Sequence, residues 1–265
     1  MPEGHTIHRL ARDHRMLVVG RKVEVASPQG RFATGAELLT GRTVDRIEPY
    51  GKHLWYGFSG GLLLHIHLGL YGKWMTGGGL PPAVRGALRL RVTTDEAWLD
   101  LRGPTACEVV TPPERDLVVA RLGPDPLRSD GKAAKAFARV GRSKVQIGQL
   151  LMDQSVLAGV GNVYRAEVLY RAGLSPFRIG RDVTGEEWER MWADLVTLMR
   201  AGVRSGRIVT TMRSDRARTS GTPTPADAHY VYRRHGEPCR RCGTEIRTQP
   251  MAARNLFWCP ACQPS

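Results

Sequence analysis

The sequence predicts an α+β protein in three consecutive parts, and three patterns carry that prediction. Between about residues 22 and 110 apolar residues recur at period two, as in Leu54, Tyr56 and Phe58 or Leu88, Leu90 and Val92, with glycine and proline between the runs. Alternation of this kind marks half-buried antiparallel strands, in a sandwich or a barrel. Beyond residue 132 the period becomes that of a helix. Near the C-terminus Cys239, Cys242, Cys259 and Cys262 form C-x2-C-x16-C-x2-C. That is the spacing of a zinc ribbon, in which each pair holds one metal from a tight turn and the stretch between them forms a hairpin.

The chain opens MPEGHTIHRL. Ile7, Leu10, Ala11 and Val18 recur at helical spacing, with Arg9, Arg12 and Asp13 on other faces, so a short amphipathic helix follows Pro2 and Glu3 and fixes both at its start. Methionine is usually removed before a small residue. Loss of Met1 exposes the secondary amine of Pro2, a candidate nucleophile. In the strands that follow, alternation turns Val23, Val25, Ala97, Leu99 and Leu101 inward. Arg89, Arg91, Asp100 and Arg102 are expected outward, the arginines facing solvent or a phosphate backbone.

The stretch GPDPLRSDGK, Gly123 to Lys132, reads as a linker. Three helices are expected after it: one marked by Ile147, Leu150 and Leu151; one by Val163, Ala166, Leu169 and Tyr170; and one by Trp188, Met191, Trp192, Leu195, Met199 and Val203. Thr184 and Glu187 make a capping box at the start of the third, and its Met and Trp stripe reads as core. Between the first two lies AGVGN, Ala158 to Asn162, whose glycines allow a tight double turn leading into a helix N-terminus with free N–H groups for an anion. Residues 205–228, rich in Gly, Ser, Thr, Pro and Arg, read as a mobile loop that orders on a polyanion or as a plain linker.

The formal charge is +14 and the pI about 10.2. Residues 201–255 hold 11 Arg or Lys against 4 Asp or Glu, half of that excess in about a fifth of the chain. Nucleic acid is the leading partner for such a balance, ahead of an anionic membrane surface or a merely solvated basic face. No apolar run is long enough to span a bilayer, and the N-terminus lacks the apolar stretch of a secretory signal, so the protein is expected to be cytoplasmic. It is also expected to be a monomer. Two disulfides in place of zinc would not suit a reducing compartment. Cys107 stands alone and reads as a small core or boundary residue.

Pro2 and Glu3 in MPEG, Lys52 in PYGKHL, the segment LMDQSVLAGVGNVYRAEVLYRAGLSP and the terminal MAARNLFWCPAC occur in an order that resembles the bacterial formamidopyrimidine-DNA glycosylase and endonuclease VIII family from first residue to last. The resemblance implies an N-terminal catalytic β-sandwich with a catalytic helix (1–124), a helix-two-turn-helix domain (125–228) and a four-cysteine zinc finger (229–265), with damaged DNA between the lobes. By the same likeness Asn162 and Arg254 contact phosphates, and Leu70 and Tyr71 in HLGLYG are wedge residues that fill the gap left by an extruded base. MPEG and HLGLYG look closer to endonuclease VIII, whose branch acts on oxidised pyrimidines such as thymine glycol and 5-hydroxycytosine. Two departures bear on lesion preference. His5 and Thr6 replace a Pro-Glu pair that often follows the opening Gly, and Gly69 stands where a polar wedge residue is common.

The chemistry implied is that of a bifunctional DNA glycosylase and AP lyase. A terminal amine has a pKa of about 8, so on the order of a tenth is free base at pH 7, and nearby cations such as Lys52 enlarge that fraction. Attack on the sugar C1′ expels the base, and a secondary amine can give only a cationic iminium, which acidifies the C2′ proton and promotes successive β and δ eliminations. Glu3 is placed to shuttle protons as the ring opens, or to serve the helix dipole. Lys52 steadies a phosphate or donates a proton. Four thiolates leave zinc no open position, so its part is structural. His8, His14, His53, His65 and His67 lack an acidic partner at a recognised spacing, and no second metal or organic cofactor is expected. Two rival readings stand beside this one: the same scaffold preferring oxidised purines such as 8-oxoguanine, or a non-catalytic, zinc-dependent DNA-binding protein.

Overall fold

The alternating residues of the N-terminal half build two four-stranded antiparallel sheets. In the computed structural model, which describes residues 2–264, helix α1 (Gly4–Val18) leads to strand β1 (Glu24–Ala26), helix α2 (Ala33–Leu39), and strands β2 (Val44–Tyr50), β3 (His53–Phe58), β4 (Leu63–His67), β5 (Lys73–Gly78), β6 (Leu88–Thr93), β7 (Ala97–Arg102) and β8 (Ala106–Val110). Helix α3 (Pro112–Ala120) follows. The sheets have the orders β1-β6-β7-β5 and β2-β3-β4-β8. Leu54, Tyr56, Leu64 and Ile66 of one share a buried cluster with Leu90, Val92, Leu99 and Leu101 of the other, and α1 adds Ile7, Ala11 and Val18. The result is a sandwich. Full burial of each such side chain contributes about 1.5–3 kcal/mol, so the alternation seen in the sequence is what holds the layers together.

Two expectations for this half are corrected. Helix α2 interrupts a region read as strands alone, and α3 follows that region where no helix was expected. The outward Asp100 is instead 1 % exposed, and it accepts from Arg91 through Nε at 2.7 Å and Nη2 at 2.9 Å, with Arg102 at 3.4 Å. A carboxylate removed from water must be paired, so Arg91 and Arg102 are committed to it and not to a phosphate backbone. Their guanidiniums also donate to the carbonyls of Pro82 and Arg85. The β5–β6 loop thereby closes over the acid.

The chain forms a second compact unit from Leu122 onward. It holds α4 (Ala133–Val140), α5 (Ile147–Leu150), α6 (Asn162–Ala172), α7 (Gly185–Ser205) and the hairpin of β9 (Arg247–Met251) and β10 (Arg254–Trp258). Trp188, Met191, Leu195 and Met199 of α7 pack with Val140, Ile147, Leu151 and Tyr164, and the Thr184–Glu187 capping box closes with bonds of 3.2 and 2.9 Å. Gly173, at φ 67°, ends α6 in the left-handed conformation that glycine adopts without penalty.

Helix α4 was hidden in a stretch without a clear period. Gly123 to Pro126 are buried, Gly123 N–H donating to Gln154 O at 2.8 Å and Pro124 O accepting from Ala158 N–H at 3.1 Å, so the expected linker is packed structure. The 205–228 segment is likewise anchored at both ends. Thr210 Oγ1 donates to Glu167, Thr211 Oγ1 to the Asp227 carbonyl at 2.6 Å, and Asp215 accepts from Tyr230 at 2.6 Å. None of the described helices is long and apolar enough to cross a membrane.

Candidate functional site

In the first unit, pairing register brings the singled-out residues to one end of a sheet. Tyr50 and His53 are cross-strand partners, so Gly51 and Lys52 form a two-residue hairpin turn, with Gly51 at φ 56° as that turn requires. His53 in turn pairs with His67. The turn carrying Lys52 therefore lies beside the Leu68–Gly72 turn, closed by a 2.9 Å bond from Gly72 N–H to Leu68 O. Leu70 and Tyr71 stand out from it, 42 % and 86 % exposed, as large apolar groups left in water. Gly69 has φ 65°, and a Cβ there would lie 1.9 Å from Thr105 Oγ1. A side chain at position 69 would therefore have to displace Thr105.

Helix α1 points to the same end. Its C-terminal side meets β2 at the Val19–Val44 bridge. One turn earlier, Arg15 Nε donates to Ile47 O at 2.8 Å and His14 Nδ1 lies 2.6 Å from Tyr56 Oη, in the pair Ile47–Tyr56. Followed backward, the helix runs along β2 toward the Lys52 turn, and Pro2 and Glu3 precede its first residue. Glu3 occupies the N-cap without a side-chain cap bond and is fully buried. His5, one of the two departures from the opening motif, is buried as well, and burial pulls its pKa down to about 4. Removal of Met1 lies outside the described residues.

Behind that sheet end runs a polar chain that sequence reasoning missed. Glu108 Oε1 is 2.8 Å from His65 Nδ1, and His65 Nε2 is 2.8 Å from His53 Nδ1. Trp55 stacks on His65 at 4.0 Å. Burial lowers the pKa of His53, His65 and neighbouring His67, that of His53 to about 3 with further depression from His65, His67, Lys52 and Arg121. The alternation of His65 and His67 was visible in sequence. Glu108 was not, because it joins them only through the β4–β8 register.

In the second unit Asn162 and Arg254 are brought close together. Asn162, 5 % exposed, opens α6 and donates from Nδ2 to the carbonyl of Asn255 at 2.9 Å, so its side chain is tied to the residue after Arg254. Fully buried Arg165 donates to Asn162 Oδ1 and, at 3.0 Å, to Met251 O. Gln154 folds the AGVGN turn, bonding Gly159 N–H at 3.0 Å and Val160 O at 2.9 Å. Buried Glu167 accepts from the backbone N–H groups of Tyr230, Val231 and Tyr232, each at 2.8 Å. A charged pair at 165 and 167 amid apolar Val163, Ala166 and Val168 was the available signal for this network.

The four cysteines have their sulfurs within 4.8 Å of one another, and none of the five is in a disulfide. Tetrahedral zinc with Zn–S bonds of about 2.3 Å needs sulfurs about 3.8 Å apart. Cys239–Cys262, Cys242–Cys259 and Cys242–Cys262 are at 3.8, 3.5 and 3.4 Å, so the set fits the ion. Among the described residues this is the only group with such geometry.

A sandwich bearing an N-terminal helix, a helical domain and a thiolate hairpin define a class, and comparison with known proteins agrees. The model of the formamidopyrimidine-DNA glycosylase N-terminal domain matches residues 1–107, that of its H2TH domain 122–214, and that of the zinc finger found in FPG and IleRS 236–264. The chain belongs to the formamidopyrimidine-DNA glycosylase and endonuclease VIII family. Within it, the chain is 50 % identical over 269 residues to Endonuclease 8 1 of Mycobacterium tuberculosis, covering 99 % of this chain and 100 % of that protein. It is 34 % identical to the formamidopyrimidine-DNA glycosylase of Thermus thermophilus, covering 99 % and 98 %. Among solved structures, Lactococcus lactis Fpg in complex with abasic-site DNA shares the fold at TM-score 0.82 and 22 % identity, covering 99 % and 100 %.

Proposed function

We propose that the protein is a bifunctional DNA glycosylase and AP lyase of base excision repair that removes oxidised bases, pyrimidines foremost, and then cuts the strand. The observation that carries this reading is the full-length 50 % identity to Endonuclease 8 1. Pro2 is the nucleophile. Its amine attacks C1′, the damaged base leaves, and the iminium that forms draws electrons from the C2′–H bond, so that β and then δ elimination leave a one-nucleoside gap. Buried Glu3 protonates O4′ as the ring opens, and Lys52 neutralises a phosphate beside it.

Leu70 and Tyr71 fill the gap left by the extruded base. Their exposure supports this, since water is an unfavourable resting place for both. Asn162 and Arg254 hold phosphates from the second unit. In this reading residues 1–124 carry the chemistry, while 125–228 and 229–265 grip the DNA, zinc serving only to fold the hairpin.

The test is to incubate the protein with duplex DNA containing an abasic site, add borohydride and locate the adduct by mass spectrometry. A reduced adduct on Pro2 with Met1 absent is the expected result. No adduct from a processed, zinc-loaded protein would leave a DNA-binding protein without catalysis. Excision of thymine glycol faster than of 8-oxoguanine opposite cytosine is expected, and the reverse order would move the protein to the purine branch, to which it is 34 % identical in the Thermus enzyme.

A further inference from the structure

Among the described residues with positive φ, only Arg233, Ala252 and Ala253 are not glycine. The two alanines are held there by the two-residue hairpin turn between Met251 and Arg254. Arg233 lies outside any hairpin. It is the third residue of the turn Val231–Arg234, closed by a 3.0 Å bond from Arg234 N–H to Val231 O, and at φ 58° it stands where a type II turn takes glycine or asparagine. A long side chain at that position strains the backbone, and Arg233 is exposed, so packing does not offset the strain. Backbone strain of this kind persists where the side chain is used.

What Arg233 offers is a cation that its neighbours leave uncommitted. Arg234 beside it is 9 % exposed and directs its donors inward, to Glu237 at 2.8 Å and to the carbonyls of Tyr230 at 2.7 Å and Pro238 at 2.9 Å. Arg233 pairs with no carboxylate among the described residues, and its guanidinium lies 5.5 Å from the centre of the Tyr232 ring. That ring is itself fixed. It meets His229 and Phe257 edge-on at 5.4 Å each, and the Tyr232 N–H donates to Glu167 at 2.8 Å. Glu167 belongs to α6, which Asn162 opens, and Phe257 belongs to β10, three residues or about 10 Å of strand beyond Arg254. The elements that carry Asn162 and Arg254 therefore also hold the platform under Arg233.

We propose that Arg233 is a third phosphate contact of this unit, its guanidinium laid over Tyr232 and presented to the backbone of duplex DNA beside Asn162 and Arg254. A guanidinium seated on a ring face keeps its edge donors available for two phosphate oxygens. This inference rests on the phosphate-holding role proposed for those two residues.

The zinc-loaded full chain is titrated at several salt concentrations with duplex DNA carrying a tetrahydrofuran abasic analogue, and its thermal unfolding is followed without DNA, for the wild type, Arg233→Gly, Arg233→Asn and Arg233→Lys. Relief of strain should raise the Tm of Arg233→Gly by about 2 °C. Its affinity should nevertheless fall about fivefold at about 0.15 M salt, and its log–log salt slope should shrink by about one. Arg233→Asn, which also accepts positive φ, should lose as much affinity, separating lost charge from a loosened turn, and Arg233→Lys should keep the slope. A glycine variant that is stabilised yet keeps wild-type affinity and slope overturns the proposal. So does one whose Tm falls, because the arginine then serves the fold. If the wild-type protein binds no DNA, the proposed function fails together with this inference; if it binds and Arg233→Gly binds equally well, only the role of Arg233 is lost.

Discussion

His14 shows how one buried side chain sets the acid stability of the N-terminal unit. It is 1 % exposed and its partner is Tyr56 Oη at 2.6 Å. Burial pulls its pKa down from 6.5 to about 4, with Asp13 opposing. The unfolded chain therefore binds protons between pH 6.5 and 4 that the folded unit does not. Stability is full above pH 6.5 and is lost as the pH falls toward 4, by up to about 1.4 kcal/mol per pH unit for each such group. His5, at about 4, and His53, at about 3, act in the same direction. Thermal unfolding should show a falling Tm from pH 7 to pH 5, and His14→Gln should flatten that fall while lowering Tm at pH 7. An unchanged slope in the variant would place the acid sensitivity elsewhere.

Among the elements, the β9–β10 hairpin is built under strain. Met251 and Arg254 pair across a two-residue turn whose alanines, Ala252 and Ala253, have φ of 52° and 56°. Left-handed backbone costs an L-residue about 1–2 kcal/mol. Replacing the pair with Asn-Gly, which such a turn prefers, should stabilise the zinc-loaded hairpin by about 1 kcal/mol and raise its thermal midpoint. The hairpin also depends on its thiolates. Cys242→Ser should release zinc, measured with a chromogenic chelator, and weaken DNA binding, because Asn162 takes its orientation from the Asn255 carbonyl on β10. Full affinity in the zinc-free variant would separate the two. Much of this was legible in sequence: alternation marked the strands, Thr184 and Glu187 marked the start of α7, and cysteine spacing marked the ribbon. Short α2, α3 and α4 were not, since two or three turns give too few repeats to establish a period. Asp100 escaped because its pairing with Arg91 is set by the β6–β7 register, and the histidine chain because cross-strand register alone assembles it. Pro2 was legible from the secondary amine that loss of Met1 exposes, with Glu3 beside it, whereas Lys52 was found only through the order of motifs. No periodicity distinguishes them from ordinary surface residues.

For the molecule as a whole, charge is the governing quantity. The excess of +14, half of it between residues 201 and 255, predicts DNA affinity that falls linearly in log–log form with salt. Arg254→Ala should weaken binding about equally across sequences and reduce the slope by about one, as titrations at several salt concentrations would show; an unchanged slope would remove Arg254 from the phosphate contacts. The thiolate set adds a constraint of another kind. Cys239 and Cys259 are buried, but Cys242 is exposed. An oxidant reaching the hairpin meets that sulfur first, and sulfenic acid no longer ligates metal as a thiolate does. The agents that generate oxidised bases are thus able to disarm the protein that removes them. Oxidant treatment of the zinc-loaded protein is accordingly expected to modify Cys242 before the buried Cys239 and Cys259, as peptide mapping would show.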